Sequence, residues 1–489
     1  MFTRSAILGR LRLTLFLFIF ISLTSLDGCG LSGNHYAQVD HALQAGRPGE
    51  GLAILEGQEG TYGSRSNVLY LMDKGMLQHL AGRYQESNVS LSKAEELSEA
   101  LYTRRISAEA AAFLTTDNAL PYEGEDFEKV MLNVFMAMNY VQLGLWDEAL
   151  VEARKVDHKL TVMGDRNHGA MTYTKDPFAR YLSGVLYEAT GNLSEALVAY
   201  RLSFEAFEQS RKPYGMEVPD LLRKDLLRIT EALGLLDEYE SYRRMFPGVI
   251  WQPQAGTRGM AELVFVTYAG RAPLKRDLFI DVPFSPEALA VVLATKVGTR
   301  RSSGADSRAA ESVLYGLTGH VIRLAVPKFV PRRTAVAGAE AVAGGGNSYY
   351  EARLATMEDI TAIAVKDLDE RVVRTTVKAV ARAAWKYAAA EGVRRGIRSA
   401  VGKKEGGELA GAIAGALAHM VAIASEEADK RSWGTLPDRI ELGRLWVPPG
   451  TYEVELRYTG GFGVLEKQVV RGVTVQEGQK RFITTRVME

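Results

Sequence analysis

The sequence predicts an α+β, multidomain chain. An N-terminal α-solenoid of helix–turn–helix repeats covers residues 36–248, and a mixed region over 255–489 reads as a small β-sandwich with an inserted helical hairpin. Three observations predict it. Turn glycines recur between His35 and Pro247, each followed by a helix-opening pattern. Strand-like runs begin only after about residue 260 and return near the end of the chain. Between them the apolar period becomes helical, which divides the region into strands over 260–343, helices over 357–428 and strands over 438–488. A chain of 489 residues is also too long for a single core.

The first segment reads as an export signal. Arg4, Arg10 and Arg12 precede the apolar run Leu13–Leu23, which is shorter than the roughly 20 residues a bilayer span needs. The run ends in Leu26-Asp27-Gly28-Cys29, which is similar to a bacterial lipobox except for Asp27. Cleavage after residue 28 leaves a lipidated Cys29 and a linker over 29–35. Two or three acyl chains there anchor stably, because each buried methylene adds about 0.8 kcal/mol. An ordinary signal peptide with a chance cysteine is the competing reading. Cys29 is the only cysteine, so with acylation no thiol is left for a disulfide, a metal site or a nucleophile. Gly30, in place of an aspartate after the cysteine, favours sorting to the outer membrane, facing the periplasm.

Lys+Arg and Asp+Glu both total 59; loss of three arginines and one aspartate with the signal leaves −2. No global basic field for nucleic acid exists.

The clearest repeat runs Ala137, Tyr140, Gly144, Trp146, Glu148, Ala149. The same frame returns as Gly184, Tyr187, Gly191, Leu193, Glu195, Ala196 and as Gly75, Gly82, Tyr84, Glu86, with weaker copies at Gly46 and Gly234. Glycine closes the first helix with a left-handed cap. Small residues let the paired helices approach, and aromatics fill the space between them. These features define tetratricopeptide-like repeats. The turn glycines are 36, 62, 47 and 43 residues apart, against about 34 for a regular array, with an insertion around Ser98–Glu128. An unrelated helical bundle is the alternative. Solenoids of this kind present an extended surface to peptides and proteins.

In the second half, Leu263–Tyr268, Leu278–Val282, His320–Val326 and Thr334–Val342 have strand composition, and Gly344–Asn347 reads as a flexible loop. Leu368, Val372, Val373, Val377 and Val380 recur with helical spacing, and Leu409–Ala424 supplies a second helix. Tyr452–Tyr458 alternates as a half-buried strand, followed by Val469–Val475 and Phe482–Val487.

Catalytic signatures are missing. Seven histidines are scattered without His-x-x-x-His spacing, and neither a phosphate-binding glycine loop nor a nucleophile elbow occurs. No cofactor and no metal are expected. Two clusters are candidates for contact with a partner. Glu123, Glu125 and Asp126 lie in a run that ends at Glu128, where carboxylates could bind a cation or do acid–base work. The simpler reading is helix capping, with Asp126 at the N-cap. Trp433, in Arg431–Arg439, is either an exposed recognition residue or a buried joint between helix and strands.

Several segments together resemble a family of uncharacterised bacterial lipoproteins with tetratricopeptide-like repeats and a mixed β/helical C-terminal domain. They are Tyr122–Glu128 with Asn139, Gly144, Ala149 and Glu152–Arg154, then Lys366–Leu368, Arg431–Leu442 and Pro448–Tyr452. The resemblance implies an envelope lipoprotein whose relatives accompany activators of peptidoglycan synthases. The expected function is a non-enzymatic, lipid-anchored scaffold that holds protein partners in a cell-envelope assembly, with the membrane engaged through its acyl chains. The alternatives are an envelope glycan- or peptidoglycan-binding lipoprotein and a carboxylate-based hydrolase.

Overall fold

A computed structural model describes residues 33–107, 120–166, 173–283, 321–371 and 428–489. Helices come first: α1 (Gly33–Gln44), α2 (Pro48–Gly57), α3 (Glu59–Tyr62), α4 (Asn67–Leu80), α5 (Tyr84–Ser107), α6 (Asp126–Gln142), α7 (Trp146–Arg166), α8 (Pro177–Ala189), α9 (Leu193–Tyr214), α10 (Asp220–Ala232) and α11 (Leu236–Met245). Tight turns join α1 to α2, α4 to α5, α6 to α7, α8 to α9 and α10 to α11. Gly46, Gly82, Gly144, Gly191 and Gly234 occupy them with φ of 66°, 74°, 72°, 78° and 70°. A side chain is strained in that left-handed region. Within a pair, the close approach depends on a missing Cβ: one added at Gly184 of α8 would collide with the Tyr200 ring of α9.

The strands are β1 (Ala261–Ala269), β2 (Leu274–Pro283), β3 (Val321–Val330), β4 (Gly338–Gly345), β5 (Ser348–Asp359), β6 (Arg439–Val447), β7 (Gly450–Gly460), β8 (Gly463–Val475) and β9 (Lys480–Val487). Seven of them form one mixed sheet in the order β8-β7-β4-β5-β6-β1-β9, while β2 and β3 pair as a separate ribbon. β9 runs parallel to β1; the other pairings in the sheet are antiparallel. The sheet curls until its edges approach, and the Gln468 side chain on β8 donates to the Arg486 carbonyl on β9 at 2.7 Å. Residues 360–371 follow β5 as a helix.

Two cores result. Leu263, Phe265, Ala341, Val454, Leu456 and Tyr458 fill the inside of the curled sheet. On its outer face Val264, Val266, Tyr268, Ile440, Leu442 and Phe482 join one continuous core with the helices. β1 is therefore buried along its whole length, with successive side chains entering different cores.

The expected fold class is corrected by this arrangement. A tetratricopeptide-like solenoid would leave an open face for partners, but here the helices pack onto the chain's own sheet. The uneven glycine spacing gives pairs without a regular superhelix. Nor is there a sandwich among the described residues, because one sheet curls on itself and supplies its own inner layer. β5 was unforeseen, since its mixed sequence is mostly half-exposed. The expected flexible loop is a tight turn: Gly345 pairs with Ser348, and Gly346 adopts φ 58°. Cys29, the signal segment and Leu409–Ala424 of the expected hairpin lie outside the described residues.

Candidate functional site

The acidic run and the tryptophan segment meet. Residues 121–125 approach α6 without regular structure, and Glu125 is its N-cap rather than Asp126. The Glu125 N–H donates to Glu128 Oε2 at 3.0 Å, the return half of a capping box. Tyr122 donates to the same oxygen at 2.5 Å, and the Trp433 N–H donates to Glu128 Oε1 at 2.7 Å. Glu128 is fully buried. Burial, with the Glu125 charge beside it, pushes its carboxyl up to about 7. Burial acts the same way on Glu125, but Lys275 of β2 and Arg371, the latter at 2.5 Å, overcome it and hold that carboxyl well below the usual range.

The network continues through Trp433. Its ring N–H donates to Thr435 Oγ1 at 3.0 Å, and Thr435 donates to Asp73 Oδ1 at 2.8 Å. Tyr36 and Tyr62 donate to the other Asp73 oxygen at 2.6 and 3.0 Å. Burial lifts Asp73 to about 6 against the pull of these donors. The buried Trp433 ring meets Phe135 of α6 edge-on, with centroids 6.0 Å apart. Glu123 and Asp126 are placed differently. Both lie at the rim beside Lys129, at 3.3 and 3.8 Å, with side chains 16 % and 18 % exposed.

Three further buried polar junctions tie helices to sheet, and none of them is among the candidate sites that the sequence suggests. Arg444 of β6 is fully buried and pairs with Glu188 of α8 and Asp225 of α10, each at 2.8 Å, and with Glu262 of β1. Arg228 adds contacts to Glu188 at 2.6 Å and to Asp225 at 2.8 Å, and Lys480 reaches Glu188 and Glu262. The Trp446 ring lies 5.2 Å from both guanidinium carbons. Three cations thus face three carboxylates.

In the second junction Tyr173 lies between two buried acids, donating to Asp176 Oδ2 at 2.8 Å with Glu358 Oε1 at 3.2 Å. The phenolic proton lies nearer Asp176, and a proton on Glu358 would complete the longer contact. Burial and the Asp176 charge raise its pKa well above the ordinary value, and burial brings Asp176 to about 6. In the third, His79 bonds Asn139 Oδ1 at 2.6 Å and the Tyr268 hydroxyl at 3.0 Å. Asn139 donates its amide to Ser87 and Asn88, so its oxygen accepts from Nδ1–H and the Tyr268 hydroxyl donates to Nε2. Burial keeps this imidazole neutral, at about 4.

A sequence signal for the largest junction existed. Glu262 and Arg444 are single charges on otherwise apolar, helix-facing sides of their strands. A cavity of about 360 Å³ lies between the α9–α10 connection and β5, lined by Met216, Val218, Thr356, Asp359 and Arg439. Among the described residues no group of three or more His, Cys, Asp or Glu side chains is placed to hold a metal ion. No helix described is long and apolar enough to cross a membrane.

No protein-family model matches the chain, and no curated protein matches it. Among solved structures, the crystal structure of BtubC (BKLC) from P. vanneervenii is similar at 15% identity, over 45% of this chain and 82% of its own, with a TM-score of 0.30. A likeness of that size carries no argument about fold or function.

Proposed function

We propose that this protein is a non-enzymatic, lipid-anchored scaffold that faces the periplasm from the outer membrane and holds protein partners in a cell-envelope assembly, linked to peptidoglycan synthesis. One observation carries the reading. Val89, Val151 and Val198 lie on α5, α7 and α9, each seven residues after the turn glycine of its pair, and are 71 %, 49 % and 46 % exposed. A glutamate stands three residues before each valine, at Glu86, Glu148 and Glu195, and is exposed too. Apolar side chains repeated at the same exposed position of successive helix pairs offer a protein partner a patterned surface. Glu125, Glu128 and Trp433, by contrast, are engaged inside the molecule.

Envelope crosslinking followed by affinity capture tests this. The wild-type chain should recover a defined partner, and the combined variant Val89→Glu, Val151→Glu, Val198→Glu should lose it while keeping its melting temperature. Equal recovery by both removes this surface from the reading. The anchor rests on Cys29, so mass spectrometry of the N-terminal peptide, with and without Cys29→Ala, checks it separately.

A second reading, envelope glycan recognition, is favoured by two exposed aromatics near hairpin turns. Tyr349 follows the β4–β5 turn at 75 % exposure, and Phe462 between β7 and β8 is fully exposed. Sedimentation of the full chain with purified peptidoglycan, lost in Tyr349→Ser with Phe462→Ser, would favour it.

A further inference from the structure

We propose that Arg271, Arg332 and Arg486 form a binding site for a phosphate group. They come from three separate places in the chain: the connection after β1, the connection after β3, and β9. Arg332 and Arg486 converge on the loop after Trp433, and Arg271 shares Asp40 with Arg332. Arg332 Nη2 donates to the Gly434 carbonyl at 3.3 Å, Arg486 Nη2 donates to the Leu436 carbonyl at 3.4 Å, and Arg332 Nε donates to the Ala272 carbonyl at 2.8 Å. Among the described residues a single carboxylate faces them, Asp40 of α1, at 3.1 Å from Arg271 and 3.4 Å from Arg332. Three guanidinium groups against one carboxylate leave two positive charges in excess.

The hydrogen-bond inventory is incomplete in the same direction. Among the described residues Arg486 Nη1, shielded from water, has no partner, and Nε meets only the Met488 sulfur, at 3.2 Å. The charge is uncomfortable as it stands. Burial and the neighbouring arginines outweigh Asp40 and bring Arg486 down to about 9; burial also lowers Arg332. This differs from the Arg444 junction, where each cation is matched by a carboxylate. A tetrahedral dianion would neutralise the excess and accept from the guanidinium forks in the paired geometry that arginine favours. The cluster is reachable, because Arg271 and Arg332 keep 31 % and 21 % of their side chains exposed. Asp40 lies eleven residues beyond Cys29, the expected acylation position. Both a free phosphate and a phospholipid headgroup therefore supply the required chemistry, and the test separates them.

Thermal unfolding of the full chain is followed at constant ionic strength with inorganic phosphate, with glycerophosphoglycerol (the phosphatidylglycerol headgroup without its tails) or with acetate. At about 10 mM a site of millimolar affinity raises the melting temperature of a chain this long by about 1–2 °C. A shift with both phosphates means that the phosphate group itself is read; a shift with one alone identifies the source. In Arg271→Ser and Arg486→Met the shift falls below about half, and Arg486→Met melts no lower than wild type without phosphate because the crowding is relieved. If Arg486→Met does not fold, the partly exposed Arg271→Ser carries the comparison. The site is overturned if neither phosphate compound shifts the wild type beyond acetate, or if wild type and variants shift alike.

Discussion

Arg444 and Glu358 both lie on strands beside α8, both are buried, and their charges are handled in opposite ways. Around Arg444 three cations meet three carboxylates, so burial is offset by Coulomb attraction. Around Glu358 two carboxyl groups and a tyrosine meet, with no cation among the described residues bonded to either acid, so burial is tolerated by keeping a proton. The same low dielectric that strengthens the first arrangement disfavours ionisation in the second. The two junctions should therefore fail at opposite ends of the pH scale.

The largest expected effect is from Arg444→Met, which strands Glu188, Asp225 and Glu262 with too little positive charge. Chemical denaturation at pH 7 should show a loss of about 3–5 kcal/mol. Glu188 and Glu262 are held below the usual carboxylate range, because Arg228, Arg444 and Lys480 overcome the effect of burial. Their contribution is present above the unfolded carboxylate pKa and is lost as pH falls through the folded values. The difference between wild type and Arg444→Met should accordingly shrink toward pH 3. Lys480→Met, which removes a cation at the edge of the same network, should be milder, at about 2 kcal/mol.

Tyr173→Phe deletes the hydroxyl between the two acids of the other junction. Urea titration should register a loss of about 1–2 kcal/mol. The smallest effect, and the sharpest test, is Glu358→Gln. The native acid is protonated, so the amide imitates it and stability at pH 5 should change by less than about 1 kcal/mol. The sign reverses with pH. Asp176 and Glu358 have raised folded pKa values, so their contributions are full below the unfolded pKa and fade as pH rises through the folded ones. Wild type should lose stability from pH 5 to pH 8, and Glu358→Gln should lose less of it and match or exceed wild type at pH 8. An unchanged slope in the variant would mean that Glu358 is ionised throughout.

Local features were the more legible ones. Turn glycines announce themselves because only a residue without a Cβ enters the left-handed region freely, and alternation in Tyr452–Tyr458 is visible in the apolar residues at every second position, Tyr452, Val454, Leu456 and Tyr458. The acidic run was visible as a cluster, but its centre was not. Glu128 matters because Trp433, 305 residues later, donates to it, and no spacing rule connects the two. The Arg444 network shows in sequence only as two lone charges on apolar strand faces, because its six charged groups come from α8, α10, β1, β6 and β9. Helical pairs resemble solenoid units in sequence whether their free face meets solvent or a sheet. That is why the solenoid and sandwich were expected and a joined core was found.

The sequence by itself determined where helices turn, where strands alternate, and which chemistry the chain lacks motifs for. These follow from backbone sterics and side-chain periodicity over fewer than about 15 residues. Tertiary structure alone decided that the helices cover the sheet, that the sheet curls instead of pairing with another, and which acids hold a proton. Those outcomes depend on burial and on charges brought together from distant positions, and the free energy of a buried charge is set by its neighbours in space.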